Sequence, residues 1–529
     1  MKQVSSRRDS NRGAISSWLF IGMMLWIDVG SMLSSVLGLP LAVTSAGVLL
    51  LLAGLLVFYS QTPRSPDQAW SPRLLRGIKF LIAFYFVLNY VPLNRSGVAV
   101  SLAQREVLLG GGCALFWLAA RERRTWPFVL CAALFGTLLR IVSYHTITLS
   151  TGGDMLPLVS AALQKFESGK SPYTTLYVPW PLPLTYPPLS FIPYLPFHYL
   201  GIDIRVTNLL AGLLLLGPIL LIATAGQKRP ALERISIILT EDFCRDASSA
   251  RRDEGAGFWP VTEEQRGEAR EALPSEGRSP QIDAPRLGKK PTEGLLRCAL
   301  EDPPIAISAL LWCLSFLGPS CVWWSLTNTH AIFWLLLALL FALTVRDHLR
   351  AAAVVAGLGL ASSLMMNVAL PFFVLTWVRR RGFLRAAGLS ALTLAVALLL
   401  ILPFFIWAPR DFVLGVWRWH TDPGLAPKAP WLAERLWEHQ IGFSGIFWRL
   451  GRQGWLKPIQ SVVIALLLLK YFRRGAPMQN LGAYLCLAYA LFMTFNHMQW
   501  NYLFWPVALT ALLQAALAGA EKSALPSDA

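Results

Sequence analysis

Apolar positions along this chain fall in long, nearly unbroken runs separated by short polar stretches. Runs of about 17 to 25 residues match the roughly 30 Å of hydrocarbon a helix must cross, so the pattern predicts membrane spans. Candidate spans lie at 15–38, 41–59, 77–93, 98–120, 126–146, 206–225 and 304–323. Others follow at 329–345, 352–377, 386–408, 457–471, 480–496 and 500–519. The pattern stops over 226–303, "GQKRPALERISIILTEDFCRDASSARRDEG…", which is charged and poor in aromatics. That composition predicts a largely disordered insert. The chain thus reads as four N-terminal spans (1–125), core spans over 126–225 enclosing a long loop at 147–205, and the insert. Spans over 304–408, a second long loop at 409–456 and C-terminal spans over 457–529 complete it. The expected fold is an all-α multi-pass membrane protein.

Composition agrees. Of 529 residues, 55% are apolar and 12% aromatic, with mean hydropathy +0.49, which excludes an ordinary soluble domain. The net charge of +17 would suit a nucleic-acid binder, but its distribution argues against one. Residues 226–303 hold 13 Lys/Arg and 15 Asp/Glu, leaving 34 against 15 in the rest of the chain. The surplus therefore sits in short loops beside apolar runs, as the positive-inside bias requires.

Those basic groups set the expected topology. The N-terminal arm, the loop with Arg64, Arg73, Arg76 and Lys79, and "RERR" (121–124) fall on one side. So do "QKR" (227–229), "RDHLR" (346–350), "RRRGFLR" (379–385) and "KYFRR" (470–474). That side, with both termini, reads as cytoplasmic, and the first span reads as uncleaved because it is too long for a signal-peptide core. Residues 352–377 have basic flanks on the same side at both ends, so a helical hairpin turning near "SSLMMN" (362–367) is expected there. Cysteines are scattered without a CxxC or pairing pattern, so neither a disulfide framework nor a zinc site is indicated.

The far side holds the long loops 147–205 and 409–456 and two short turns, 324–328 and 496–500. The first loop carries "GGDMLPLVSAALQKFESGKSPY" (152–173). From Met155, Leu158, Val159, Ala162, Leu163 and Phe166 share one helical face, opposite Ser160, Gln164, Lys165 and Glu167. Gly169 suits the helix stop. Such a helix is expected to lie at the membrane surface, apolar face down. Asp154 at its start suits an N-cap as well as a catalytic carboxylate. Then comes "SPYTTLYVPWPLPLTYPPLSFIPYLPFHYLG" (171–201), too rich in proline for regular helix. Its rings, Tyr173, Tyr177, Trp180, Tyr186, Tyr194 and Tyr199, suit either an interfacial belt or a wall over a cleft.

A carboxylate after a membrane helix, an amphipathic helix, then "GKSPY" and "TYPPLSFIPYLP" resembles the GT-C glycosyltransferases. The pattern is most similar to polyprenyl-phosphate-mannose-dependent mannosyltransferases, including the bacterial group known as family 87. The matching positions are Asp154, then Gly169, Pro172 and Tyr173, then Tyr186, Pro187 and Pro188. The match spans about 50 residues and loosens from 304 onward. Where relatives carry a Gly-Gln element after a mid-chain helix, this chain reads "SLTNTH" (325–330). The resemblance implies a GT-C-like bundle of about 12–14 membrane segments with surface helices on the extracytoplasmic side. It also implies a bacterial inner-membrane location, a polyprenyl-phosphate sugar donor and a glycan, glycolipid or protein acceptor. No nucleic acid, cofactor or metal is expected, cationic side chains taking the place of the metal used with nucleotide sugars.

In such chemistry an acceptor hydroxyl needs a general base. Asp154 is that candidate, with Glu167, Asp203, Asp411, Asp422, Glu434 and Glu438 as far-side competitors. The leaving lipid phosphate needs cations, and Arg offers a bidentate fork to phosphate. Arg410, Arg418, His439 and His497 are the candidates, with Tyr173, Tyr186, Gln440 and Tyr502 as further substrate contacts. "EHQIGFSG" (438–445) resembles a family element read Asn-Gln-Ser, and relatives carry a His where His497 stands. A lone His at an interface is more often structural. Within the spans, Asp28, the Arg105/Glu106 pair and Arg140 are the sparse charges. Pairing of Asp28 with Arg105 would account for two of them structurally. Two other functions remain open: a transporter or flippase of lipid-linked sugars, and a lipid-linked glycan ligase or polymerase.

Overall fold

The structure is a computed structural model. It describes residues 12–37, 39–61, 72–95, 100–121, 124–149, 155–176, 183–225, 303–419, 443, 446–447, 450–495 and 505–520. Two compact units are present, Met1–Gly226 with Leu300–Ala529, and Gln227–Ala299. The second, and with it nearly all of the expected insert, lies outside the described residues.

The described residues are helical, with no strand among them. The N-terminal helices are α1 (Arg12–Leu37), α2 (Leu39–Gln61), α3 (Pro72–Val87), α4 (Tyr90–Arg95) and α5 (Leu102–Arg121). After α6 (Trp126–Thr146) come the amphipathic α7 (Met155–Glu167), the short α8 (Leu195–Tyr199), α9 (Val206–Leu214) and α10 (Leu216–Ala223). The chain resumes with α11 (Pro303–Leu317), α12 (Pro319–Thr327), α13 (Ala331–Val345), α14 (Leu349–Ser362) and α15 (Met366–Arg381). Then follow α16 (Phe383–Trp407), α17 (Pro409–Phe412), α18 (Leu456–Arg473), α19 (Leu481–Thr494) and α20 (Trp505–Ala520). α20 is buried along nearly its whole length, packed by α1, α10, α11 and α19.

Three stretches among the described residues are long and apolar enough to cross a membrane: Trp126–Thr146, Val206–Ala223 and Phe383–Trp407. A fourth is the bent pair Ile305–Leu317 and Pro319–Thr327, and five further apolar helices are shorter. The expected span 304–323 is therefore not straight. Gly318–Pro319 splits it, with a bend of 57°. Pro319 has no N–H to give, and the residue before a proline is pushed out of the helical region.

The bend also corrects the expected pairing of Asp28. Arg105 is exposed on α5, whereas Asp28 is buried and its Oδ1 accepts the Ser320 backbone N–H at 2.8 Å. A tertiary carboxylate thus caps the first turn of α12, where free N–H groups and the helix dipole favour negative charge.

Over 349–381 the chain forms two helices joined at 363–365. Arg381 pairs with Asp347, and Arg380 Nη1 donates to the Thr344 carbonyl at 2.6 Å, so the outer ends meet. The limbs are not half-length: 14 and 16 residues rise about 21 and 24 Å at 1.5 Å per residue. Basic turns gather at this end. Arg346 Nε donates to the Leu221 carbonyl at 2.9 Å, and Arg379 lies against Gly475 after α18. The long loop 147–205 belongs to the opposite end of α9, α13 and α15.

Candidate functional site

Both ends of the first loop are fixed by Arg205. Its guanidinium donates to the carbonyls of Tyr144 (2.8 Å) and Ile147 at the end of α6, and grips Asp203 at 2.6–3.1 Å. The Tyr144 hydroxyl returns a bond to the Arg205 carbonyl at 3.0 Å, and the guanidinium lies 4.7 Å from the Tyr144 ring centroid. Asp203, a competitor for the base, is therefore occupied in holding the loop. Glu167 likewise sits 3.3 Å from His198 Nε2.

Within the loop, periodicity makes α7. Leu156, Leu158, Val159, Ala162 and Leu163 are buried, while Gln164 and Glu167 face out. The helix stops where expected: Gly169 has φ +71°, and Lys170 N–H closes onto the Lys165 carbonyl at 2.9 Å. The apolar face packs chiefly on protein. It shares a core with Tyr173, Leu184, Phe191, Tyr194, Phe412 and Val416, and Phe166 touches the rings of Phe404 and Trp407.

The aromatic segment divides into two roles. Tyr173 and Tyr194 have no exposed surface, so neither lines a cleft. The Tyr173 ring lies 4.7 Å from Phe412, and its hydroxyl donates to the Tyr186 carbonyl at 2.9 Å, tying "GKSPY" to "TYPP". Burial pushes both phenols up. Tyr186 itself is half-buried, and its ring meets His330 edge-on at 6.2 Å. Tyr199 is exposed, and Tyr177 and Trp180 lie outside the described residues.

Asn208 joins this loop to the turn 325–330. Its Oδ1 accepts from the Tyr194 hydroxyl at 2.6 Å, and its Nδ2 donates to the carbonyls of Ser325 (3.0 Å) and Asn328 (2.6 Å). Asn328 Oδ1 in turn accepts the N–H groups of Thr329 and His330, a local turn that starts α13. Its Nδ2 is buried without a partner among the described residues, as is the Thr329 hydroxyl. Buried polar groups are normally satisfied, so this donor and hydroxyl are candidates for a ligand or water. Sequence reading named the turn but no residue in it. Only the approach of Tyr186 and Asn208 from elsewhere in the chain makes it part of a site.

The second loop reaches the same place through α17 and the π-helical turn Val413–Arg418. Phe412 and Val416 enter the loop core, while Arg410 and Arg418, the predicted phosphate partners, are exposed. Gly415 lies against the Leu184 carbonyl so closely that a Cβ would collide with backbone. Gly415→Ala is therefore expected to shift the turn from the loop, at about 1–3 kcal/mol for overpacking. A thermal melt in detergent, matching the parent, would refute that contact. Lys165 holds Thr174 Oγ1 (2.6 Å) and the Thr175 carbonyl (2.9 Å) on the same rim. Partial burial and then Lys170 lower its pKa, opposed by Asp411.

The hairpin tip joins them: Leu364 packs on the loop core, and the Met365 carbonyl accepts the Tyr489 hydroxyl at 3.1 Å. Phe443 N–H donates to the Thr494 carbonyl at 2.9 Å, and the Phe443 and Phe495 rings lie 5.4 Å apart. This brings the end of "EHQIGFSG" to the end of α19, just before the last turn. Asp154, one residue before α7, lies outside the described residues, as do His439, Gln440, His497 and Tyr502. Among the described residues no group of three or more His, Cys, Asp or Glu is placed to hold a metal. Compared with known proteins, the chain matches no family model and no curated protein.

Proposed function

We propose that this protein is a multi-pass membrane glycosyltransferase of the GT-C kind, with about 12–14 membrane segments. It transfers a sugar, mannose by resemblance, from a polyprenyl-phosphate donor to a hydroxyl of a glycan, glycolipid or protein on the extracytoplasmic face. Its location is a bacterial inner membrane, with both termini cytoplasmic. The observation that supports this reading is the convergence of "GKSPY", "TYPP" and "SLTNTH" through Tyr173, Tyr186 and His330. The first two carry the resemblance, and the third stands where relatives have a Gly-Gln element.

Asp154 takes the proton from the acceptor hydroxyl as its oxygen attacks the anomeric carbon. The bond from that carbon to the phosphate oxygen breaks on the opposite face, polyprenyl phosphate leaves, and configuration inverts. Arg410, Arg418, His439 and His497 offset the charge of the departing phosphate, with Tyr186, Gln440 and Tyr502 as further contacts. The test is transfer by purified protein, given labelled polyprenyl-phosphate mannose and candidate acceptors. Absence of transfer from every lipid-linked sugar would end the proposal.

Asn328 offers a sharper check. Asn328→Asp keeps the oxygen that starts α13 but removes the unpartnered donor. A lost buried hydrogen bond is worth about 1–3 kcal/mol, so transfer efficiency should fall roughly five- to 160-fold, read below the melt of the variant because a buried carboxylate also lowers stability. Equal efficiency would remove Asn328 from substrate recognition. One observation favours the transporter reading: the bent α11–α12 pair with buried Asp28 and Arg140 has the character of discontinuous transport helices. Movement of intact donor across proteoliposomes without transfer would select it.

A further inference from the structure

At the break between α11 and α12, one of the interrupted helical hydrogen bonds has each half taken by a charge. In an unbroken helix the Ser320 N–H would bond the Phe316 carbonyl, four residues back. Instead Ser320 N–H goes to Asp28 Oδ1 at 2.8 Å, and the Phe316 carbonyl accepts Arg140 Nη2 at 2.7 Å. The next carbonyl, Leu317, accepts Asn89 Nδ2 at 2.8 Å. Asp28 and Arg140 are both 1% exposed, and Asp28 Oδ2 has no partner among the described residues. A Cβ at Gly318 would sit 3.0 Å from the Tyr85 ring, 3.2 Å from the Leu314 carbonyl and 3.3 Å from that oxygen, so a larger residue fits the bend only if these neighbours shift.

The same arginine reaches the candidate site. Arg140 Nε donates to Ser325 Oγ at 2.7 Å, six residues further along the bent α12. Ser325 and Asn328 carbonyls are then held by Asn208, which is held by Tyr194 in the first loop. Two sets of hydrogen bonds, joined by the backbone of residues 316–320, therefore link a carboxylate on the first helix to the turn carrying Asn328 and His330.

We infer that Asp28 and Arg140 are positioning residues that keep α11–α12 bent and thereby place the 325–330 turn against the first loop. The N-terminal helices, which supply Asp28 and Asn89, are then a working part of the site and not an appended anchor. The catalytic consequence rests on the glycosyltransferase reading; the geometric one does not.

The test compares Asp28→Asn, Arg140→Gln and the double variant in otherwise full-length protein that keeps only Cys321, whose Sγ lies 3.7 Å from Arg140 Nη2. Three quantities are read: thermal stability, alkylation of Cys321 by a membrane-permeant maleimide, and kcat and KM for transfer. Each single variant removes a charge from a buried backbone contact and should melt earlier, and removing two opposite charges from the same buried region should recover part of the melt. Cys321 alkylation in the double variant should nevertheless stay at least about tenfold faster than in the parent. Its kcat should stay at least about tenfold lower at similar KM, because a misplaced contact costs orientation more than affinity. Recovery of alkylation and kcat together with the melt would reduce the pair to a stability role and overturn the inference. If the parent itself transfers no sugar, the proposed function fails and Cys321 alkylation alone decides the geometry.

Discussion

Asp154→Asn is expected to lower sugar transfer by roughly two to four orders of magnitude, the usual worth of a general base, while donor binding survives. The amide keeps the shape and an oxygen suited to an N-cap. What it loses is the ability to accept a proton from the acceptor hydroxyl. Of the rival acids of the first loop, Asp203 is gripped by Arg205 and Glu167 lies 3.3 Å from His198 Nε2. The measurement is turnover and donor affinity for parent and variant at equal expression. Unchanged turnover would exclude Asp154 from the mechanism.

Tyr173 should behave in the opposite way. Its side chain is fully enclosed, with rings of Phe191, Phe404 and Phe412 around it and one hydrogen bond to the Tyr186 carbonyl. Tyr173→Ala removes a buried aromatic ring, which typically costs about 3–5 kcal/mol, and should unfold the loop well before the parent. Tyr173→Phe keeps the ring and loses only the hydrogen bond, about 1 kcal/mol, so it should retain most transfer activity. Unfolding monitored by near-UV circular dichroism separates the two. A Phe variant that melts normally but no longer binds donor would return Tyr173 to the substrate contacts expected from sequence.

The contrast between these residues shows what could be read in advance. Both stand in the segment that carries the family resemblance. The sequence identified them as a group, because proline spacing and aromatic placement are local signals. It could not sort them, because a tyrosine at an interface, over a sugar or inside a core has the same one-dimensional pattern. Burial separated Tyr173 from Tyr186, and burial depends on partners such as Phe412 and His330 that lie far along the chain.

The same division runs through the helices. Apolar run lengths located most of the helices, and the period of Leu158, Val159, Ala162 and Leu163 with Gly169 behind them defined α7 and its end. Basic flanks on both sides of 352–377 anticipated a chain that turns back, though not limbs as long as 14 and 16 residues. The sequence offered Arg105 as one structural partner for Asp28, and no local pattern reveals that a backbone N–H stands open at Ser320.

What this chain determined by itself was therefore whatever is set within a few turns: apolar length, helical face, turn residues and the side on which arginines collect. Those properties follow from backbone geometry and the solvation of single side chains. The tertiary structure decided which polar groups meet, giving Asn208 the turn at 325–328, Arg140 the Phe316 carbonyl and Tyr173 its place in the core. A buried polar group takes whichever partner packing brings within about 3 Å, and packing is settled only when distant helices come together.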